Sequence, residues 1–325
     1  MNPYRITDRA GSHWPDKFTI NFSGGRSSGY MLWHILEAYD FKLPDNIKTI
    51  FCNTGKERPE TLKFVARFAW HYGVEIHWLE YRYRREETPR HQSVRTHFMT
   101  CSRAGEPFEQ MIKTAAYLPN PVQRKCTSEL KQRTTQRYVR RNIGWKGYNP
   151  VIGFRGDEGR RVKKTIFQDC LKDEKGYAIF PMFDAGVTRR DVDEFWRSQP
   201  FDLGLEALDG NCDMCFMKGK AKNIRIIRNQ PDRAVWWIDM ETHIKEKIKS
   251  QYIDRFIRTR RWFLRWYYRL KQQLGWHVVD INPNHLNKGQ FHKDYSYENL
   301  FDLAVNNPQT DIFDDQEDAD CFCTD

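Results

Sequence analysis

Short apolar runs alternate with segments of helical spacing over the first two hundred residues of the chain. Most of these runs end in glycine, asparagine, serine or proline, which is typical of a buried strand that leads into a turn. The segments between them carry apolar residues at intervals of three and four, which is typical of an amphipathic helix. The predicted strands cover residues 18–22, 47–52, 74–79 and 150–154, and helices are predicted to follow the first two of them.

The alternation of strands and helices predicts an α/β fold with a doubly wound, mostly parallel sheet. We expect this fold in residues 1–205, followed in residues 206–325 by a mostly helical extension that contains cysteines. Residues 82–95 are basic and show no periodicity, so we expect a mobile loop over the site there. Thr188 and Asp191 have the spacing of an N-cap residue and its reciprocal partner, which predicts the start of a helix.

Composition indicates a protein with an anionic partner. Of the 325 residues 30% are charged, and the formal net charge is +10, which favours the binding of anions. No secretory signal is recognisable, and no apolar run approaches the ~20 residues that span a bilayer. We therefore expect a cytoplasmic protein with no membrane partner, in which the eight cysteines are mostly reduced and serve as core thiols, metal ligands or redox groups.

The turn after the first predicted strand reads Ser23-Gly24-Gly25-Arg26-Ser27-Ser28 and opens a helix. Two glycines allow a tight turn with converging N–H groups, the serine hydroxyls add donors, and the helix N-terminus contributes about half a positive charge. Such a junction favours a phosphate or sulfate group as its ligand. Turns of this shape also occur in α/β domains that bind no ligand.

The order of residues in this turn resembles the SGGxDS loop of the PP-loop superfamily, which includes ATP pyrophosphatases and phosphoadenosine phosphosulfate (PAPS) reductases. The resemblance implies a Rossmann-like domain of PP-loop type that binds an adenine nucleotide, either ATP or PAPS, with Mg²⁺ as a companion of ATP. Ser27 stands where the family usually has an acidic residue. This departure concerns the handling of magnesium and of the leaving pyrophosphate.

Two later segments also resemble this superfamily. Residues 53–61 are similar to the NTGxExPET segment of PAPS-reductase-like proteins, and residues 153–158 are similar to their G-x-R-x-D-E segment, although an exposed charged turn is an alternative for the latter. Ligands of open α/β sheets lie beyond the carboxyl ends of the strands, so the segments should face the first turn. The expected nucleotide-binding residues are Ser23, Gly24, Gly25, Arg26, Ser27, Ser28, Asn53, Thr54, Gly55 and Glu57, and the expected catalytic residues are Ser27, Arg155, Asp157 and Arg160, with Arg161 as the alternative to Arg160.

Cysteines in separate parts of the chain are candidate metal ligands. Cys212 and Cys215 form a C-x-x-C pair, which suits a shared metal or a redox dithiol, and Cys126 precedes a predicted helix among cations. The runs around them resemble segments of PAPS-reductase-like proteins, including the branch that supplies sulfur to DNA, in which cysteines so placed hold a 4Fe-4S cluster. This resemblance implies a cluster on Cys126, Cys212, Cys215 and Cys323, with Cys321 or Cys170 as the alternative fourth ligand. Structural zinc and free or disulfide-cycling thiols stay open as alternatives.

The segment 245–271 combines ten Lys or Arg with aromatic residues and only two acids. On a helix this pattern is typical either of a solvated basic face or of a surface that binds DNA or RNA. The last fifteen residues contain no Lys or Arg and several acids, which usually indicates a disordered tail. Because Cys321 and Cys323 lie within it, we expect the tail to fold back towards the site.

Three functions are compatible with these features. The first is an enzyme that binds ATP, adenylates an oxygen or carbonyl of its substrate and uses an iron-sulfur cluster in sulfur transfer, with a nucleic acid as substrate and a sulfur-donor protein as partner. The second is a true PAPS reductase, in which a terminal cysteine attacks sulfur and a thioredoxin-like partner restores it, although the family's E-C-G-L-H pattern is absent here. The third is a nucleic-acid-binding protein that keeps the fold and has lost catalysis.

Overall fold

The computed structural model of the chain describes residues 2–9, 15–170, 176–205, 209–259 and 289–306. Contacts group these residues into two compact units. The first unit is formed by the described residues of 2–111 and 126–215, and the second by those of 112–125 and 216–306. Each unit has its own packed core and is described separately.

A five-stranded sheet forms the centre of the first unit. Its strands are β1 (Phe18–Asn21), β2 (Ile47–Asn53), β3 (Ile76–Tyr83), β4 (His91–Thr96) and β5 (Asn149–Val151). Their order is β4-β3-β2-β1-β5, and all neighbours are parallel except β4, which is antiparallel to β3. The prediction of an α/β fold with a mostly parallel sheet is confirmed.

Helices lie on both faces of this sheet. The α-helices described between residues 26 and 198 are α1 (Arg26–Ala38), α2 (Pro59–Tyr72), α3 (Glu106–Ala115), α4 (Thr134–Tyr138), α5 (Gly159–Cys170), α6 (Pro181–Asp184) and α7 (Arg189–Ser198). Two π-helical stretches, Cys126–Arg133 and Val139–Ile143, flank α4, and residues 126–143 are called the helical segment below. Short 3-10 helices cover Ile6–Arg9 and Gly156–Glu158.

Local sequence signals account for the starts of two of these helices. Pro59 occupies the first position of α2, where its missing N–H and fixed φ are well tolerated. The N-cap of α7 is Thr188, whose N–H and hydroxyl both donate to Asp191 Oδ2 at 2.7 Å, while Asp191 N–H donates back to Thr188 Oγ1 at 3.4 Å. The predicted capping pair is therefore confirmed.

The two faces of the sheet are covered by different helices. Side chains alternate between faces along each strand, so Phe18 and Ile20 of β1 point to the face that α1, α2 and α7 cover. Trp196 of α7 packs into this same core. On the opposite face, Ile50 and Leu79 pack against the helical segment.

The prediction of a mobile loop over residues 82–95 is wrong. Arg82 and Tyr83 end β3, and β4 pairs with it from Trp78 opposite Thr96 to Tyr83 opposite His91. Residues 84–90 are thus the connection of a hairpin. None of the residues of β4 is fully buried, because β4 is an edge strand. A strand at an edge needs no apolar run, so hydrophobic periodicity does not reveal it.

The topology places a reversal point at β1. From β1 the chain adds β2 and β3 on one side, and it later returns to add β5 on the other side. Ligands of doubly wound sheets bind where the strand order reverses, beyond the carboxyl ends of the strands. In this chain, that position is the loop of residues 23–28 after β1.

The second unit is helical, which confirms the prediction for the C-terminal region. Its helices are α8 (Lys220–Asn229), α9 (Asp232–Thr259) and α10 (Tyr297–Val305). The carboxylate of Glu241 on α9 is buried and accepts hydrogen bonds from the N–H groups of Phe291 at 3.0 Å and Tyr297 at 2.9 Å. Burial raises the pKa of Glu241 to about 7.

Two sequence features of the C-terminal region extend beyond the described residues. The basic and aromatic segment 245–271 is helical as far as Thr259, the end of α9, and residues 260–271 lie outside the described part. The acidic tail with Cys321 and Cys323 also lies outside it. Within the described ranges, no helix combines the length and apolarity needed to cross a membrane.

Candidate functional site

The loop 23–28 joins β1 to α1 in a shape that requires glycine. Gly24 has a φ of +77°, and a Cβ atom there would lie 2.7 Å from Thr61 Cγ2 and 2.9 Å from Val65 Cγ2. Gly25 is the N-cap of α1, which has no side-chain cap and no acidic residue in its first turn. Because the first N–H groups of a helix lack partners within the helix, this end of α1 favours an anion.

Serine side chains brace the loop from within. The hydroxyls of Ser23 and Ser28 lie 2.9 Å apart. Ser28 Oγ also accepts a hydrogen bond from Ser23 N–H at 3.2 Å and donates to Gly25 O at 3.0 Å. Ser28 is fully buried. Its hydroxyl therefore fixes the shape of the loop, and a contact between it and a nucleotide stays a prediction.

The side chain of Arg26 forms an ion pair with Asp202. Its Nε donates to Asp202 Oδ1 at 2.8 Å, its Nη2 pairs with the other carboxylate oxygen, and Asp193 lies 3.9 Å from Nη1. The backbone oxygen of Arg26 accepts from the indole N–H of Trp196 at 2.9 Å. The guanidinium group thus anchors the start of α1, and its predicted role in nucleotide binding is not tested by this arrangement.

Arg155 connects the loop to the segment that follows β5. Its Nη1 donates to Ser27 Oγ at 3.3 Å, and its Nε donates to Asp157 Oδ1 at 2.9 Å. The N–H of Arg155 donates to Glu158 Oε2 at 3.0 Å, which closes the turn. The structure therefore brings together three of the residues predicted to be catalytic.

The other two arginines of this segment occupy different positions. Arg161 pairs with Glu158 and lies over the ring of Phe154, with its guanidinium carbon 4.1 Å from the ring centroid. Arg160 is exposed, and no ion pair to it occurs among the described residues. Of the two, only Arg161 shares a carboxylate with Arg155.

Asn53 and its neighbours form the second loop of the site. Asn53 is fully buried, and its Nδ2 donates to Glu80 Oε1 at 2.7 Å and to Ser102 O at 2.8 Å. Its Oδ1 accepts from Gly55 N–H at 3.1 Å. All the polar groups of this amide are engaged within the protein, which explains how the loop keeps its shape next to the first one.

Glu57 has a similar internal role. Its carboxylate accepts from Thr54 N–H at 2.8 Å and from Thr54 Oγ1 at 2.9 Å. Burial raises the pKa of Glu57, against the opposing effect of Lys131. Thr54 and Glu57 are both buried. The side chains of Thr54 and Glu57 thus hold the second loop in shape. That this loop contacts a nucleotide stays a prediction.

The segment 209–213, just before and within the C-x-x-C pair, lies against both loops. Asn211 Nδ2 donates to Ser23 O at 3.1 Å, and the nitrogen lies 3.1 Å from where a Cβ on Gly25 would be. Asn211 O accepts from Arg58 N–H at 2.8 Å, and the backbones of Cys212 and Glu57 form an isolated antiparallel β-bridge. No signal in the sequence indicates this contact beyond a turn at residues 210 and 211.

A buried ion pair strengthens the same contact. Lys56 Nζ lies 2.9 Å from Asp213 Oδ2, and the two side chains are 9% and 14% exposed. The N–H of Asp213 donates to Lys56 O at 2.9 Å. This pair holds the C-x-x-C loop in place beside the second loop.

The predicted metal ligands are described only in part. Cys126 is partly exposed at the start of the helical segment, whereas Cys212 and Cys215 are buried. Over the described ranges, no group of three or more His, Cys, Asp or Glu side chains is arranged to hold a metal ion. Cys321, Cys323 and the side chain of Cys170 lie outside the description. The iron-sulfur cluster and its zinc alternative therefore stay predictions.

A cavity of about 350 Å³ lies next to the first loop, against the face of the sheet that the helical segment covers. That volume is within the range of small-molecule pockets. Burial raises the pKa of the Cys52 thiol to about 11 and raises that of the Tyr148 hydroxyl, so both groups are neutral at pH 7. One wall is largely apolar and contains Phe22, Ile50, Cys52, Tyr148 and Ile152, and the opposite wall comes from the helical segment and contains Ser128, Lys131, Gln132, Arg133, Thr135 and Gln136.

The two walls suit a flat ring with polar edges. Apolar side chains cover the faces of such a ring, and amide, hydroxyl and ammonium groups bind its nitrogen atoms. Ser23 lines the cavity and also begins the first loop. A ligand with a ring in the cavity and an anionic group at the N-terminus of α1 would therefore use both parts.

Sequence reasoning missed Lys131 and Gln136 as residues of the site, because only folding brings them close to β1 and β2.

Comparisons with known proteins identify the family of the first unit. The sequence profile of the family described as "Phosphoadenosine phosphosulfate reductase domain" matches residues 17–202. The chain is 28% identical over 206 residues to the uncharacterized nin region protein ORF290 of Escherichia phage lambda, which covers 62% of this chain and 67% of that protein.

Two solved structures are similar to the chain at a low level. One is the U34-tRNA thiolase NcsA from Methanococcus maripaludis with its 4Fe-4S cluster, at 17% identity and a TM-score of 0.35, covering 63% of this chain and 67% of that chain. The other is the PAPS reductase from Candida auris in its phosphate complex, at 15% identity and a TM-score of 0.36, covering 65% and 88%.

Proposed function

Because the chain belongs to the phosphoadenosine phosphosulfate reductase domain family, we propose that it binds an adenine nucleotide, ATP or PAPS, and transfers the group activated by that nucleotide. The observation that carries the proposal is the continuity of the cavity with the glycine loop through Ser23. In the proposed complex the adenine base occupies the cavity. The phosphate or phosphosulfate end of the nucleotide lies against the N-terminus of α1, where backbone N–H groups bind its oxygens.

Arg155 has the position of a charge-neutralising group in this complex. Its guanidinium contacts Ser27 in the first loop and is held by Asp157 and Glu158 from behind. A guanidinium binds two oxygens of one phosphate or sulfate through parallel N–H groups. Arg155 therefore stabilises the negative charge that develops on the transferred group, and Asp157 orients it.

The two nucleotides imply different reactions. With ATP, an oxygen of the acceptor attacks the α-phosphorus, pyrophosphate leaves, and the adenylated acceptor is ready for sulfur transfer. With PAPS, a thiolate attacks the sulfate sulfur, adenosine 3',5'-bisphosphate leaves, and a thioredoxin-like dithiol then releases sulfite and becomes a disulfide. The contact between Ser27 and Arg155 favours PAPS, because a cation rather than a metal-binding carboxylate lies next to Ser27.

Sulfur transfer with an iron-sulfur cluster is the finer part of the proposal. Cys126, Cys212, Cys215 and Cys323 are its expected ligands, but the described thiols do not form a metal-binding group. We therefore assign no step of the reaction to a cluster. Binding of DNA or RNA by residues 245–271 likewise extends the proposal to a nucleic acid substrate, supported by their ten basic residues.

The experiment that tests the site is a calorimetric titration of the protein with ATP, PAPS and GTP, with and without Mg²⁺. We expect binding of one or both adenine nucleotides and much weaker binding of GTP. The variant Cys52→Leu adds side-chain volume within the cavity, which has room for it, and should weaken binding by about tenfold or more while the protein stays folded. Cys101→Ala is the matched control, since Cys101 is buried in the core on the other face of the sheet.

Two turnover assays distinguish the reactions. Release of pyrophosphate from ATP in the presence of an acceptor supports adenylation, whereas release of sulfite from PAPS with reduced thioredoxin supports the reductase. If Cys52→Leu binds the nucleotide as tightly as the wild type does, the adenine base does not occupy the cavity. Absence of both binding and turnover would leave the family's fold without its activity.

A further inference from the structure

The hairpin of β3 and β4, together with the helical segment and the three residues that follow it, carries most of the excess positive charge of the chain. Residues 82–96 contain five Arg and two Glu, and residues 126–146 contain six Lys or Arg and one Glu. These two stretches thus hold eleven cations and three acids in a chain of formal net charge +10. Nine of the eleven cations are arginines.

These cations lie on one continuous surface. Arg141 Nη1 of the helical segment donates to His91 O of β4 at 3.3 Å, and the guanidinium of Arg137 lies 5.8 Å from the ring centroid of Tyr81 on β3. The helical segment is therefore packed along the hairpin. We call this region the basic surface; its exposed cations are Arg82, Arg84, Arg85, Arg90, Arg95, Arg133, Arg140 and Arg141.

Acidic side chains neutralise only part of this charge. Glu129 pairs with Arg133 and Arg137, Glu75 pairs with Arg95, and Glu87 lies 3.9 Å from Arg84. Five further arginines are exposed and have no acidic partner among the described residues, namely Arg82, Arg85, Arg90, Arg140 and Arg141. Unpaired guanidinium groups at this density are available for an external polyanion.

The basic surface borders the proposed nucleotide site. Arg133 lies on it and also lines the cavity, next to Lys131 on the same helical segment. β3 is parallel to β2, which is parallel to β1, so the tip of the hairpin and the first loop leave the sheet at the same edge. A long anion that follows the arginines therefore passes Arg133, which is part of the cavity wall.

We propose that the basic surface binds the phosphate backbone of a polynucleotide and so presents a nucleic acid to the nucleotide site. Arginine predominates over lysine here, and its planar fork matches the oxygens of a phosphate group. Tyr83 and His91, whose ring centroids are 5.2 Å apart at the rim of the surface, supply aromatic faces for stacking of unpaired bases. This inference names the substrate class of the proposed function and rests on that function only for the chemistry that follows binding.

The test is a fluorescence anisotropy titration with labelled single-stranded DNA and RNA of about 20 nucleotides, repeated between about 50 and 200 mM salt. The test variant replaces Arg85, Arg90 and Arg140 with Ala, all of which are exposed, so the fold should be kept. The control variant makes the same change of charge with Lys42→Ala, Lys63→Ala and Arg190→Ala. These are exposed residues outside the hairpin and the helical segment.

We expect the test variant to lose at least tenfold in affinity at low salt, while the control variant binds like the wild type. The slope of log K against log salt should fall by about two to three in the test variant, one for each lost phosphate contact. Equal loss in both variants, or binding of polyglutamate as tight as that of the polynucleotide, would overturn the proposal. Neither ATP nor PAPS is present in this assay, so its result is independent of the titrations with those two ligands.

Discussion

The shape of the first loop depends on Gly24, and replacing it with alanine tests that dependence. At the φ of +77°, a side chain is in the left-handed region, which costs roughly 1–2 kcal/mol for an L-residue. The added Cβ would also lie 2.7 Å and 2.9 Å from methyl groups of Thr61 and Val65, both of which are fully buried. Crowding of that kind in a packed core costs about 1–3 kcal/mol.

A matched glycine separates these two effects. Gly144 has a φ of +83°, and nothing lies within 4 Å of a Cβ atom there. Gly144→Ala should therefore lose only the roughly 1–2 kcal/mol of backbone strain. Gly24→Ala should lose about 1–3 kcal/mol more in the free energy of unfolding, which is the crowding part alone.

Urea unfolding of the wild type and both variants measures this difference. Calorimetric titration with ATP and PAPS then shows whether the strained loop still binds its ligand. We expect Gly24→Ala to weaken nucleotide binding by about tenfold or more, because relief of the clash moves the N–H groups at the start of α1. If Gly24→Ala is as stable as Gly144→Ala and binds nucleotide like the wild type, the loop does not require this glycine and the reasoning is refuted.

Three further predictions concern titratable and charged groups. The folded pKa of Glu241, about 7, is above the ordinary 4.5, so the folded state holds a proton that the unfolded state releases. The free energy of unfolding should therefore fall by up to about 3 kcal/mol as the pH rises from about 4.5 to 7. In urea unfolding, Glu241→Gln should remove this dependence and the control Glu298→Gln should keep it. If the pH profile of Glu241→Gln is parallel to that of the wild type, Glu241 is not the group responsible. Lys56→Met removes the cation that pairs with Asp213, which should destabilise the protein by about 3–5 kcal/mol and speed hydrogen exchange in residues 209–215. As the control, the double variant Lys56→Met with Asp213→Asn should recover part of the lost stability. Unchanged hydrogen exchange in Lys56→Met would argue against the ion pair. Cys52, with a pKa of about 11, should react with iodoacetamide at pH 8 far more slowly in the folded protein than in the urea-unfolded protein, as read by peptide mass spectrometry. Equal labelling rates in the two states would contradict the raised pKa.

Much of the first unit could be predicted because its signals are local. An apolar run followed by glycines and an amphipathic helix depends only on neighbours in the sequence, and β1, the first loop and α1 follow that order. The same holds for Pro59 at the start of α2 and for the capping pair of Thr188 and Asp191. In each case the physical cause, a fixed φ or a side-chain hydrogen bond to the backbone, acts over a few residues.

Other features depended on partners that are distant in the sequence. β4 is polar and its sequence predicts a loop, because its strand form comes from pairing with β3 rather than from burial. The motif of Asn53 and Glu57 predicts contacts with the nucleotide, which stay a prediction, and tertiary structure adds that their side chains bind groups of the protein itself. Residue type and spacing place a polar group near a site without determining which partner it binds.

The sequence alone determined the α/β fold expected in residues 1–205 and the glycine turn after its first strand, since both arise from periodicity and from the backbone freedom of glycine. Tertiary structure alone decided that residues 209–213 lie on that turn, that a cavity lies beside it, and that arginines from two distant stretches form one surface. The reason is physical: a side chain's partners across the fold are selected by packing and by the burial of polar groups, and neither is encoded in the spacing of neighbouring residues.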